Sequence, residues 1–163
     1  MASALIALGG NVGDVRARFD AAVDAICRQA PATLMARSAD YETPPWGSVA
    51  QPSFINACIA IETERDPQTL LASLHAIERM FGRDRAQETR WGPRTLDLDL
   101  IAYEDLALNT PELTLPHPRL FERAFVLVPL AEIAPDRVIA GRSVREALSR
   151  VSRDGIARLP DLG

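Results

Sequence analysis

Two aspartates separated by one residue are the clearest chemical feature of the sequence. Asp97 and Asp99 alternate with three leucines within residues 95–103, which is the period-two pattern of a strand with one buried face. Both carboxylates would then project from the other face, where a merely solvated pair is the alternative. Carboxylate oxygens suit Mg²⁺, which completes its coordination with water and substrate phosphates. When a phosphoryl group is transferred, a pair of such ions can bind the attacking oxygen and the leaving oxygen at phosphorus. We therefore expect a metal site at Asp97 and Asp99.

Clustered arginines precede these aspartates. Residues 83–94 contain four arginines against two acidic residues, in a chain whose net charge is −4. All 18 basic residues are arginine, which excludes a phosphate-binding or Schiff-base lysine. Guanidinium groups bind phosphate bidentately and stabilise charge that develops at phosphorus. The segment taken alone could be a solvated, salt-bridged loop, but beside a metal-binding strand it favours polyphosphate binding.

Aromatic and amide side chains indicate a flat, polar ligand. Phe54 and Phe125 lie at the starts of predicted elements, Asn56 shares a strand face with Phe54, and Thr43 opens a Pro-Pro loop. Two aromatic faces could enclose a ring while the amide binds its edge. The alternative is that both phenylalanines belong to the core. His117, between two prolines, is typical of a hydrogen-bonding loop residue.

The hydrophobic pattern predicts strands alternating with helices. Strands are expected near residues 4–8, 33–43, 54–62 and 95–103, and helices after residue 14, from Pro67 to Phe81 and over 144–151. Residues 125–130 fit either a short buried strand or a turn of helix. The order β-α-β-β-α-β predicts an α+β sandwich of the ferredoxin-like type, with helices on one face of a mainly antiparallel sheet.

Composition limits the class of protein. A length of 163 residues with 47% apolar composition suits one domain over residues 1–163. The longest apolar runs are too short for a membrane span, and the first residues lack the features of a secretory signal, so we expect a cytoplasmic protein. The negative charge gives no general attraction to nucleic acid. Cys27 and Cys58 lack metal-ligand spacing and are interpreted as buried free thiols.

These segments together resemble the 6-hydroxymethyl-7,8-dihydropterin pyrophosphokinase family. The resemblance covers residues 4 to about 136, and the arginine-to-aspartate motif is its most specific part. The matching motifs are Leu8–Asp14, Tyr41–Gly47, Gln51–Ala57, Arg90–Asp99, Leu115–Arg119, Arg123–Phe125 and Pro129–Pro135. Gly10 in place of Ser and His75 in place of Gln depart from the family pattern, and the alignment of Arg85 is not fixed.

The resemblance implies transfer of the β,γ-pyrophosphoryl unit of ATP to a pterin hydroxymethyl oxygen, with release of AMP. It implies two Mg²⁺ ions on Asp97 and Asp99, a ferredoxin-like fold and small-molecule partners, and we expect a monomer. Residues implied to bind the pterin are Thr43, Pro45, Trp46, Phe54, Asn56 and Phe125. Residues implied to bind ATP or the moving phosphates are Glu78, Arg83, Arg90, Arg94, His117 and Arg123, of which Arg83, Arg90 and Arg94 join the two aspartates as catalytic residues.

Two other functions remain open from the residues alone. An Asp-x-Asp pair with nearby arginines also fits a nucleotidyl transferase or a phosphohydrolase. A regulatory ligand-binding module of the same fold, with the aspartates only solvated, is the non-enzymatic alternative.

Overall fold

The computed structural model describes residues 1–45, 50–82 and 95–162. The strands are β1 (Ala2–Gly10), β2 (Ala32–Arg37), β3 (Tyr41–Thr43), β4 (Phe54–Thr63), β5 (Asp97–Tyr103), β6 (Leu108–Asn109), β7 (Thr114–Leu115), β8 (Val138–Ile139), β9 (Arg142–Ser143) and β10 (Ala157–Arg158). The helices are α1 (Val15–Gln29), α2 (Pro67–Met80), α3 (Ala124–Ile133) and α4 (Val144–Ser149), with a 3₁₀ turn at Leu120–Glu122.

The main sheet has the strand order β10-β3-β4-β1-β5, and β2 also pairs with β4. Each described pair of neighbouring strands is antiparallel. Since β1 and β2 both run antiparallel to β4, they share a direction and need the crossover helix α1 between them. The same reasoning places α2 between β4 and β5. This is the predicted α+β, ferredoxin-like architecture, which is confirmed.

The helices cover both faces of the sheet, which corrects the expectation of helices on one face. One cluster packs the even residues of β1 and β5 against α1 and α2, with Phe19, Leu70 and Leu74 fully buried. A second cluster packs Leu5 and Cys58 on the opposite face against α3 and α4. The segment at residues 125–130, for which the sequence allowed a strand or a turn of helix, belongs to the helix α3. Its residues 126–130 are all buried, so the sequence shows no polar face by which to recognise a surface helix.

The helix starts follow from local chemistry. Asp14 and Asp66 accept hydrogen bonds from the backbone N–H groups of Ala17 and Thr69, and Pro67 occupies the first turn of α2. After β5, the short strands β6 and β7 pair with each other in antiparallel register. Across the described ranges, no helix is both long and apolar enough to cross a membrane.

Candidate active site

Asp97 and Asp99 lie on β5, on the same face of the sheet as α3. Their partners on β1 are Gly9 and Ala7, respectively. Leu98, between them, is buried on the opposite face, and both aspartates are partly exposed. The predicted alternation of carboxylates and leucines is confirmed, so the two carboxylates project from one face of a strand that is well anchored in the sheet.

A buried carboxylate on α2 accepts a hydrogen bond from the backbone of this strand. Glu78 on α2 is 1% exposed, and its Oε2 accepts a hydrogen bond of 2.7 Å from the backbone N–H of Leu98. The acceptor therefore reaches the backbone between the two aspartates. Family resemblance implied that Glu78 serves ATP, but its burial and this hydrogen bond favour a role in positioning β5.

Asn56 and Thr43 form a second polar group on the same sheet face. The Asn56 Nδ2 donates to the Thr43 Oγ1 at 2.7 Å, and both residues are buried. This bond uses one amide hydrogen and orients the amide. Phe54 pairs with Thr43 across β4 and β3 and lies on the same face as Asn56. Three residues predicted to bind a flat ligand are thus brought together.

Gly9 separates the amide from the two carboxylates of β5. On β1 it pairs with Asn56 on one side and Asp97 on the other. A Cβ at Gly9 would lie 3.0 Å from Asn56 Oδ1 and 3.9 Å from Asp97 Cβ, so a larger residue would disturb the amide. Since neighbouring strands are about 4.8 Å apart, Asn56 and Asp97 have Cα atoms roughly 10 Å from one another. A small substrate can therefore reach both groups.

The start of α3 supplies a cation and an aromatic ring. Arg123 Nη1 lies 3.8 Å from Asp99 Oδ2, and the Arg123 guanidinium carbon lies 5.5 Å from the centre of the Phe125 ring. Arg123 therefore links the ring predicted to stack on the ligand with the carboxylate predicted to bind metal. The side chains of Arg123 and Asp99 are 20% and 29% exposed, so both remain accessible to a ligand.

His117 lies in the segment beside β5, where its backbone N–H donates to the Ile101 carbonyl oxygen at 2.9 Å. Burial lowers the pKa of His117 to about 4, and the positive charge of Arg123 acts in the same direction. The ring is therefore neutral at neutral pH. Its Nδ1 accepts a hydrogen bond of 3.2 Å from the Arg119 backbone N–H, which leaves Nε2 as the N–H donor.

A cavity of about 500 Å³ adjoins this group of residues. Its lining includes Thr43, Pro45 and Phe125, all predicted to bind the pterin. Its other wall comes from the C-terminal part of the chain. The full lining is Thr43, Pro44, Pro45, Glu122, Ala124, Phe125, Val151, Ser152, Asp154 and Ile156.

Several predicted site residues lie outside the described residues. These are Trp46, Arg83, Arg90 and Arg94, together with Arg85. Of the others, five lie on one sheet face (Thr43, Phe54, Asn56, Asp97 and Asp99) and two at the start of α3 (Arg123 and Phe125). Pro45 and His117 lie in loops, and Glu78 is buried behind β5. His75 is partly buried on α2.

Asn11 has a positioning role that was not predicted from the sequence. Asn11 is 5% exposed, and its Nδ2 donates to Gln51 Oε1 at 2.9 Å and to the Pro52 carbonyl oxygen at 3.0 Å. It therefore connects the loop after β1 with the segment that leads into β4. The motifs at residues 8–14 and 51–57 match the family together, which was the available signal.

The donor chemistry of the carboxylate pair fits Mg²⁺. Two partly exposed carboxylates on one strand leave coordination positions open to water and phosphate, as Mg²⁺ requires. Within residues 1–45, 50–82 and 95–162, no group of three or more His, Cys, Asp or Glu side chains could hold a metal ion. Any ion at Asp97 and Asp99 would thus need ligands beyond this pair.

Comparison with known proteins identifies the family. Residues 5–135 match the model of 7,8-dihydro-6-hydroxymethylpterin-pyrophosphokinase (HPPK), and the chain belongs to this family of enzymes. It is 49% identical over 159 residues to the 2-amino-4-hydroxy-6-hydroxymethyldihydropteridine pyrophosphokinase of Methylorubrum extorquens, covering 98% of this chain and 99% of the relative. The enzyme of the same name from Pseudomonas aeruginosa is 44% identical over 156 residues, covering 95% of each chain.

The fold is also found in solved structures. A crystal structure of Plasmodium falciparum HPPK-DHPS with pteroate superposes with a TM-score of 0.71 at 13% identity, over 91% of this chain. This chain spans 42% of that one, so the likeness concerns less than half of the larger protein. At this identity the comparison supports the fold alone.

Proposed function

We propose that this protein transfers pyrophosphate from ATP to 6-hydroxymethyl-7,8-dihydropterin, giving AMP and the pterin diphosphate, in folate biosynthesis. The observation that carries the proposal is the common sheet face of Asn56 and the Asp97–Asp99 pair, with Gly9 between them. This arrangement lets one small molecule contact an edge-binding amide and the metal-binding carboxylates. Membership of the pyrophosphokinase family supplies the reaction class.

The pterin would bind between the start of α3 and the end of β3. Phe125 and Phe54 would stack on its ring, and Asn56 would bind its polar edge in the orientation that Thr43 sets. Pro45 and Trp46 would contribute from the loop after β3. Aromatic faces together with an amide suit a neutral heterocycle that has donor and acceptor edges.

The phosphates would bind between Asp99 and the surrounding cationic side chains. Two Mg²⁺ ions, held by Asp97 and Asp99, would supply charge neutralisation along the polyphosphate when bound. Arg123 would contact the phosphates near Asp99, and neutral His117 would donate from Nε2 without adding charge. Arg83, Arg90 and Arg94 complete the proposed set of cationic residues.

In the proposed reaction, the hydroxymethyl oxygen forms a bond to the β-phosphorus of ATP. The bond from that phosphorus to the α,β-bridging oxygen breaks, AMP leaves with that oxygen, and the hydroxyl proton passes to solvent. Positioning and charge stabilisation are the main contributions expected of the protein in such transfers. Glu78 would act indirectly, by holding the backbone of β5 through Leu98.

The nucleotide product tests this function. Purified protein is incubated with ATP, Mg²⁺ and 6-hydroxymethyl-7,8-dihydropterin, and nucleotides are separated by chromatography. We expect AMP and pterin diphosphate in equal amounts, and no AMP when EDTA removes the metal. Release of inorganic pyrophosphate with transfer of AMP would indicate a nucleotidyl transferase, while ADP or no turnover would also contradict the proposal.

Four finer points belong to the same proposal. Magnesium dependence, a monomeric state and a cytoplasmic location remain predictions from the sequence, as does a single domain over residues 1–163. The EDTA experiment tests the first. Sedimentation of the purified protein at micromolar concentration tests the monomer.

A further inference from the structure

The C-terminal residues reach the proposed pterin pocket although they lie beyond the part of the chain that matches the family model. That match ends at residue 135, whereas residues 151–156 follow α4 and line the cavity beside Thr43 and Phe125. Val151 and Ile156 are partly buried there. Part of the pocket lining therefore comes from a segment outside the region that the family model matches.

This segment continues into a strand that covers the edge of β3. Ala157 pairs with Glu42 and Arg158 pairs with Tyr41, in antiparallel register. The Leu159 backbone N–H then donates to the Asp40 carbonyl oxygen at 2.9 Å. β3 has only three residues and ends at Thr43, and β10 pairs with two of them on the edge away from β4.

Side chains strengthen the same attachment. The Tyr41 hydroxyl donates to Glu132 Oε1 at 2.6 Å, and Arg158 Nε lies 4.0 Å from the same oxygen. Arg16 on α1 donates to the Pro160 carbonyl oxygen at 2.6 Å. The C-terminal strand is thus joined to α1, α3 and β3, rather than lying loosely on the surface.

Gly155 lies close to Pro44 in the Pro-Pro loop. Its φ is +81°, a conformation that favours glycine, and a Cβ at this position would lie 3.3 Å from Pro44 Cγ and 3.4 Å from Pro44 Cδ. Pro44 directly follows Thr43, the residue that orients Asn56. Any shift of residue 155 would be transmitted to this turn.

We propose that residues 151–158 position the Thr43–Pro45 turn, with Gly155 and Ile156 as positioning residues for pterin binding. The inference rests on the proposed function. Gly155 sets the distance between the segment and Pro44, while Ile156 contributes to the apolar wall of the cavity. Neither Asp97 nor Asp99 is among the residues that line this cavity, so we expect the segment to influence binding of the pterin and not of ATP.

The test compares Gly155→Ala with Gly141→Ala in the full-length enzyme. Gly141 has a φ of +80°, and no atom lies within 4 Å of a Cβ built there, so it reproduces the backbone strain without the contact. We expect Gly155→Ala to raise the KM for the pterin by about fivefold or more, equivalent to roughly 1 kcal/mol. The KM for ATP should change less than about twofold, and Gly141→Ala should match the wild type in both.

Ile156→Ala provides a second measurement if Gly155→Ala does not fold, as judged by urea denaturation. It should also raise the KM for the pterin selectively. An unchanged pterin KM in the folded variants, an equal rise in both KM values, or the same rise in Gly141→Ala would overturn the inference. If the wild-type enzyme releases no AMP, the proposed function itself has failed, so the two failures are distinguishable.

Discussion

The buried carboxylate of Glu78 accepts a hydrogen bond from the backbone N–H of Leu98, the residue between Asp97 and Asp99. A side chain of α2 thereby holds the segment of β5 that carries both proposed metal ligands. Removal of a group that orients metal ligands through hydrogen bonds commonly lowers activity by about 10 to 100-fold. Glu78 is therefore expected to influence both stability and turnover.

Replacing Glu78 by alanine should leave the buried Leu98 N–H without this acceptor. We expect a loss of about 1–3 kcal/mol in the free energy of unfolding and a decrease of at least about tenfold in kcat. Glu78→Gln retains an oxygen acceptor and should be less damaging in both measurements. Urea denaturation and steady-state AMP formation provide the test, and wild-type stability and turnover in Glu78→Ala would contradict it.

Thr43 should affect the pterin more than ATP. Thr43→Val keeps the shape of the side chain but removes the hydroxyl that accepts from Asn56, so the amide loses the bond that orients it. We expect the KM for the pterin to rise by up to about tenfold, the size of one net hydrogen bond. Thr43→Ser, which restores the hydroxyl, should recover most of the affinity. An equally large effect of both substitutions would point to packing instead of the hydrogen bond.

The two free cysteines should differ in reactivity. Burial raises the pKa of the Cys58 thiol, and Cys58 lies beneath α3 with its Sγ 3.6 Å from the Val126 carbonyl oxygen. Burial and the nearby Asp24 raise the pKa of Cys27, which is only partly buried. The prediction of a buried thiol is therefore confirmed for Cys58, whereas Cys27 is only partly buried.

A thiol-reactive reagent at pH 7.5 should modify Cys27 slowly, and faster as the pH rises toward its raised pKa. Cys58 should react only after urea unfolds the protein. The variant Cys27→Ser isolates Cys58 and makes its labelling a direct measure of how firmly α3 covers the active-site face. Stoichiometric labelling of native Cys27→Ser would show that α3 does not protect this face.

The elements with a clear hydrophobic periodicity could be predicted from the sequence. Asp97 and Asp99 alternate with buried leucines, so both the strand and the shared face of the carboxylates could be predicted. Asp66 and Pro67 likewise marked the start of α2. These features depend on local sequence, where residue spacing determines which side chains share a face.

The elements that cover the second face of the sheet could not be predicted in the same way. Residues 126–130 of α3 are all buried and include Pro129, so their pattern does not distinguish a helix from a short strand. The roles of Gly9 and Gly155 depend on which segments approach them, which local spacing does not reveal. The pairing of β10 with β3 joins residues far apart in the chain, and a two-residue strand carries almost no periodic signal.

AMP formation by Asp97→Asn and Asp99→Asn tests the central claim most directly. Both variants are measured in a single turnover with saturating ATP, Mg²⁺ and 6-hydroxymethyl-7,8-dihydropterin, and Asp105→Asn, at an exposed position just after β5, is the matched control. We predict that both site variants form AMP at least about 100-fold more slowly than the wild type, with unchanged folding, because they lose an anionic metal ligand. Asp105→Asn should retain the wild-type rate. Wild-type AMP formation by either site variant would contradict the account.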